Sequence, residues 1–218
     1  MSSLFFGYGP YVALLACAVG LVLRLPAAWP RMVEAWRGPW QPGALAVAVG
    51  AGIVSLNHLL GLLFREPMRA FFRAPPRLFA FEAVSLIGGM LLAWGLIQLG
   101  TRLVRPGEVS RSLQGVYLLL LFQVAQGVAL AVGKRWGALW SLDLTVPYLR
   151  SLLTLSPDVV LIEQAPLMVR LHVLGGFVLM AVAPFVQPRH ALEPRERPSS
   201  PEAPLLTSHR EAASKAEP

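Results

Sequence analysis

Two of the four histidines in this sequence, His58 and His172, stand inside long apolar runs, where an ionisable ring is costly unless it has a task. They occur as S-L-N-H-L-L-G, Ser55–Gly61, and V-R-L-H-V-L-G-G, Val169–Gly176, so each is followed three residues later by a glycine, Gly61 and Gly175. If the runs Leu45–Phe64 and Leu167–Val186 both cross a bilayer, the alternation of consecutive crossings sets them antiparallel. His58 is then about six residues before one end and His172 about five after the start of the other, which puts both about 8 to 9 Å below the same face at a rise of about 1.5 Å per residue. Two imidazoles at one depth, each with a glycine near enough to admit a flat macrocycle, are what six-coordinate b-type haem requires. The plainer alternative is that each histidine hydrogen-bonds a neighbouring helix, as intramembrane polar residues do.

Composition narrows what could surround such a pair. Of 218 residues 55% are hydrophobic and 14% charged, outside the range of soluble domains and typical of an integral membrane protein. The net charge of +7 resides in the joints between apolar segments rather than on a polar face, so it reads as topology and headgroup charge, not as a nucleic-acid surface. A single cysteine, Cys17, excludes intrachain disulfides, a cysteine-held iron–sulfur cluster and a C-x-x-C-H haem attachment. Leu14–Cys17 resembles a lipoprotein cleavage box, but no basic residue precedes it, and Cys17 reads as a small buried hydrophobe. There is no P-loop, Rossmann glycine pattern, H-E-x-x-H or G-x-S-x-G.

The elements that must position the histidines are five apolar spans, predicted at Tyr11–Leu25, Leu45–Phe64, Leu78–Gly100, Leu113–Val132 and Leu167–Val186. The fold class expected is therefore an all-α membrane protein, five transmembrane helices in a haem-binding bundle. Residues 1–187 form that domain, and 188–218, dominated by Pro, Glu, Arg, Ser and Ala, form a tail without apolar periodicity, expected to be disordered alone. A basic loop with Trp29, Trp36 and Trp40 follows the first span, and Gly50 and Gly52 in the second allow close helix approach. Arg65, Arg69, Arg73 and Arg77 recur every four residues between spans two and three, the spacing of an amphipathic segment limited to two or three turns by Pro67, Pro75 and Pro76. These arginines suit lipid headgroups, haem propionates or a quinol pocket. Glu82, one turn inside span three, suits a quinol proton, water or a pair with Arg77.

Gln114, Gln123 and Gln126 of span four are expected to face other helices, and Gly133–Pro166 to form an external loop or short interfacial helices. With the N-terminus outside, eleven of the 19 basic residues fall inside and eight outside, a modest bias that favours this orientation and a cytoplasmic C-terminus. The histidine pair then belongs to the outer leaflet.

Several motifs together resemble the gamma subunit of membrane-bound respiratory nitrate reductase. They are Gly9-Pro10-Tyr11-Val12-Ala13 before span one, N-H-L-L-G at Asn57–Gly61, Gln123 with Gly127, and R-L-H-V-L-G at Arg170–Gly175 followed by Pro184-Phe185 and His190. The similarity runs over roughly residues 5–190. It implies a cytochrome b of the bacterial cytoplasmic membrane that oxidises quinol and feeds electrons to an iron–sulfur beta subunit and a molybdenum alpha subunit. In such proteins an outer haem b lies between helices two and five, matching His58 and His172. A second, inner haem uses a histidine at the inner end of helix five, matching His190, and one in helix two about ten residues before the first, where this chain has Ala48. The implied quinol site lies beside the outer haem, near His58, Arg77 and Arg170, although the lysine used there aligns near Leu78. The inner haem is then absent, five-coordinate on His190, or completed by a partner. Two further readings stay open from the residues themselves: a haem-free anchor that docks a soluble complex through its tail, and a gamma-like cytochrome serving another molybdenum or iron–sulfur enzyme.

Overall fold

A computed structural model describes residues 3–37, 41–103, 111–133 and 137–186, with the side chains of 31–37 and 102–103 left aside. His190 and the tail 188–218 lie outside the described residues. Every described element is helical, as expected where backbone polar groups must find partners within their own segment. A π-helical turn, Ser3–Tyr8, leads into α1 (Gly9–Arg37). Then follow α2 (Pro42–Leu63), α3 (Arg65–Phe71), α4 (Pro75–Leu103), α5 (Arg111–Gly133), α6 (Gly137–Asp143), α7 (Thr145–Leu153), α8 (Val159–Glu163) and α9 (Leu167–Val182), which ends in a 3-10 turn, Ala183–Phe185. Five helices, α1, α2, α4, α5 and α9, are long and apolar enough to cross a membrane. The chain is an all-α membrane protein of five spans.

The largest departure from the sequence reading is α1, which continues past Leu25 through the expected basic loop as far as Arg37. Pro26 and Pro30 lie inside this helix. Each lacks the N–H that would reach back four residues, so the carbonyls of Val22 and Pro26 lose their donors. These sit one turn apart on one face, so the ladder is interrupted along that face only. Val22 is 75% exposed there.

Between α2 and α4 the four-residue arginine spacing yields only the short α3, after which a turn leads into Pro75 at the start of α4. The connection expected as loop or interfacial helices consists of α6, α7 and α8. Together with α3 they cap the end of the bundle where α2 and α4 meet and α9 begins. The cap carries the most protein-like core: Phe6, Ala13, Tyr148, Leu152, Ile162, Ala165, Val169 and Phe177 form one buried cluster. Phe72, Leu78, Leu142 and Val146 form a second, joining α3, α4, α6 and α7. Polar ties complete it. Arg65 and Arg69 both pair with Asp143, and Arg65 Nε donates to the Leu142 carbonyl at 2.9 Å.

Within the membrane the tightest contact is α2 on α4. Gly43 and Gly50 on one helix and Gly88 and Gly95 on the other, seven residues apart in each case, bring the backbones into contact. A Cβ at Gly50 would stand 2.5 Å from the Leu92 nitrogen, and one at Gly95 2.7 Å from the Gly43 oxygen. Small residues supply the close van der Waals packing that drives association where hydrocarbon outside is as apolar as hydrocarbon inside. Asn57 adds a side-chain bond to Ser85 Oγ, one residue from His58. In turn α4 packs on α5, α5 on α9 and α9 on α1.

Two outcomes follow for stability. Gly50→Val should separate α2 from α4 and cost about 1–3 kcal/mol or more, read as a lower melting temperature of the detergent-solubilised chain; Gly52→Ala, with nothing within 4 Å of its added carbon, should leave it unchanged. Tyr148, fully buried in the cap, donates to the Phe6 carbonyl at 2.8 Å, and burial first, then the nearby Tyr11, pushes its phenol well above the ordinary value. Because the folded state raises that pKa, the contribution is complete below about pH 10 and falls as pH rises beyond it. Tyr148→Phe should cost about 1–3 kcal/mol at neutral pH and flatten the alkaline loss seen in a melting series against pH.

Candidate functional site

His58 lies in the last two turns of α2 and His172 in the second turn of α9, both toward the capped end. The structure brings their rings to 6.5 Å between centroids, with a 35° angle between planes. The helices that carry them are not among the closely packed pairs, so the rings approach across a gap between α2 and α9. Each ring is held through Nδ1. His58 Nδ1 lies 2.7 Å from the Val54 carbonyl one turn back. A carbonyl only accepts, so the proton is on Nδ1 and Nε2 keeps its lone pair. His172 Nδ1 lies 3.1 Å from Gln123 Nε2, whose amide also donates to the His172 carbonyl at 2.6 Å.

Two glycines make room for this arrangement. A Cβ at Gly127, one turn beyond Gln123 on α5, would lie 3.2 Å from His172 Cε1. A Cβ at Gly175 would collide with Gln123 Oε1. The sequence reading placed Gly61 and Gly175 beside a macrocycle. In the structure Gly61 faces the cap, with Leu142 and Val146 methyl carbons each 3.6 Å from its missing Cβ, and Gly175 faces the Gln123 amide. That Gln123 reaches His172 was not legible from α5 alone. The signal available was a polar residue in hydrocarbon followed four positions later by glycine.

The charged residues around the cap and the start of α9 have these partners. Arg77 lies over the Phe71 ring at 5.6 Å. Glu82 Oε1 accepts the Ala138 N–H at 3.1 Å and so holds the start of α6. Arg150 donates to the Leu62 carbonyl at 3.3 Å, tying α7 to the end of α2. Arg170, two residues before His172, has a buried Nε without a hydrogen-bond partner among the described residues, and so do the side-chain oxygens of Gln123 and Gln126. Ala48 is half-buried on α2, and its expected counterpart His190 is outside the described residues. No group of three or more His, Cys, Asp or Glu gathers among the described residues.

The spacing of the two rings fits a haem between them. Two metal–imidazole bonds of about 2 Å each, with roughly 1 Å from nitrogen to ring centre on either side, put centroids about 6 Å apart. The observed 6.5 Å matches that spacing. The unpartnered Arg170 Nε supplies a cationic donor of the kind a propionate carboxylate takes.

No curated protein matches the chain. The family model for the nitrate reductase gamma subunit matches residues 2–193, which include all five spans and the whole cap. The chain therefore belongs to the nitrate reductase gamma subunit family and is a membrane subunit of a nitrate reductase.

Proposed function

We propose that this subunit is a cytochrome b that oxidises membrane quinol near the capped end and delivers the electrons to an iron–sulfur subunit and a molybdenum catalytic subunit. The observation that carries the reading is the pair His58 and His172, on helices of opposite direction, with ring centroids 6.5 Å apart. Bound there, haem b would supply one-electron redox chemistry, which no side chain of the bundle offers.

The chain's own part is ligation, burial and charge. His58 and His172 would hold the haem iron through their ring nitrogens, and Arg170 would take a propionate. His190, outside the described residues, remains the candidate ligand for a second haem, with Ala48 where helix two would have supplied its partner. Quinol oxidation yields quinone, two electrons and two protons. The bias of basic residues supports an orientation with the N-terminus and capped end outside, in a bacterial cytoplasmic membrane, and the protons would then be released outward. Arg77, engaged with Phe71, lies on the cap beside which quinol would approach. Nitrate reduction would take place on the molybdenum subunit.

Replacing His58 or His172 by alanine should abolish the split visible bands of low-spin haem b in the reduced, purified complex while the five-span fold persists. Bands retained by both variants would overturn the assignment. Absence of iron from the unsubstituted subunit, with partner binding lost on truncation after Gln187, would favour a haem-free anchor instead.

A further inference from the structure

We propose that Gln123 is the positioning residue of the His172 ring and that its amide selects which ring nitrogen is free to bind iron. The inference rests on the haem reading above. Neutral imidazole carries one proton. With Gln123 Nε2 directed at Nδ1, at 3.1 Å, Nδ1 accepts and the proton belongs to Nε2, which then has no lone pair for a metal. His58 is in the opposite form, since the Val54 carbonyl keeps its proton on Nδ1. One ring of the pair is thus set to ligate and the other is not.

Half a turn of the Gln123 amide about its last torsion exchanges donor for acceptor. Oε1 then faces Nδ1; one proton leaves Nε2, one is taken up at Nδ1, and the charge of the ring is unchanged. Two features permit the rotation. In the observed orientation Oε1 is buried without a partner, so no bond holds the oxygen in place. Gly175 leaves the space the amide occupies, because any side chain there would strike Oε1. Against it stand the Nε2 bond to the His172 carbonyl at 2.6 Å and the oxygen-on-oxygen contact that Oε1 would make there after rotation, which together favour the observed orientation while the ring is not ligating. Gln123 is therefore a two-position element: bound to the main chain in one position, and in the other an acceptor that orients the ring and strengthens it as a donor.

The test uses the full chain in its complex, with Gln123→Glu and Gln123→Leu. A glutamic acid at the amide-nitrogen position presents a hydroxyl that donates to the His172 carbonyl and accepts from Nδ1–H. If ionised, it accepts only. In either form it keeps the acceptor that ligation needs. Gln123→Glu should retain haem at least as well as the unsubstituted protein and lower the midpoint potential of the haem that depends on His172. Gln123→Leu should weaken haem retention on the order of 10-fold and raise the potential; a tenfold change in relative affinity for the two iron states corresponds to about 59 mV. Unchanged retention, ferric EPR signal and potential in both variants would overturn the role of Gln123 while leaving the haem reading intact. Should the leucine variant not assemble, the glutamate variant decides alone, a lowered potential in favour and an unaltered one against. A haem spectrum that survives loss of His172 would remove the parent reading and this inference together.

Discussion

The distance between His58 and His172 is fixed by contacts made elsewhere, because α2 and α9 do not pack along one another. One route runs through the membrane, α2 on α4, α4 on α5 and α5 on α9, and its first contact is backbone on backbone at Gly43, Gly50, Gly88 and Gly95. The other runs over the cap, where Arg150 reaches the Leu62 carbonyl at the end of α2 and Tyr148, Leu152 and Val169 share one buried cluster. Packed interfaces deform little, so two independent routes of this kind hold a gap open at one width. A width set by rigid contacts would suit a flat group held between the two rings.

Hydrocarbon makes the polar groups around this gap informative. A buried donor or acceptor without a partner costs free energy, so each one present is either satisfied or reserved. Asn57 and Ser85 satisfy one another, and Ser85 also bonds the Phe81 carbonyl. Glu82, Arg65 and Arg69 are engaged within the cap. The exceptions among the described residues, Arg170 Nε and the side-chain oxygens of Gln123 and Gln126, belong to α9 and α5. Two of the three residues, Arg170 and Gln123, adjoin His172 in the chain or contact it directly.

The spans and the histidine pair were legible because both depend on one-dimensional quantities, the length of an apolar run and the depth of a residue along it. The ends of α1 were not, since Pro26 and Pro30 normally argue for a break, and only a helix that loses its bonds along a single face can absorb both. The arginine series 65–77 was legible as helical in spacing but not in partners. Which arginine meets Asp143 and which an aromatic ring depends on how α6 folds back over α3. Which group each glycine faces depends on the same tertiary folding. Spacing marked Gly61 and Gly175 by closeness in sequence to a histidine, whereas the glycine that faces the His172 ring, Gly127, comes from another helix.

Membership of the nitrate reductase gamma subunit family accounts for the five spans and for association with other subunits of that complex, and the geometry of the histidine pair carries the electron-transfer reading further. The most direct test of that reading is low-temperature EPR of the oxidised, unsubstituted complex, with haem iron quantified per subunit. The account predicts a low-spin ferric signal of bis-imidazole type, at no less than one haem per chain. A chain without haem, or one giving only the high-spin signal of five-coordinate iron, would contradict it.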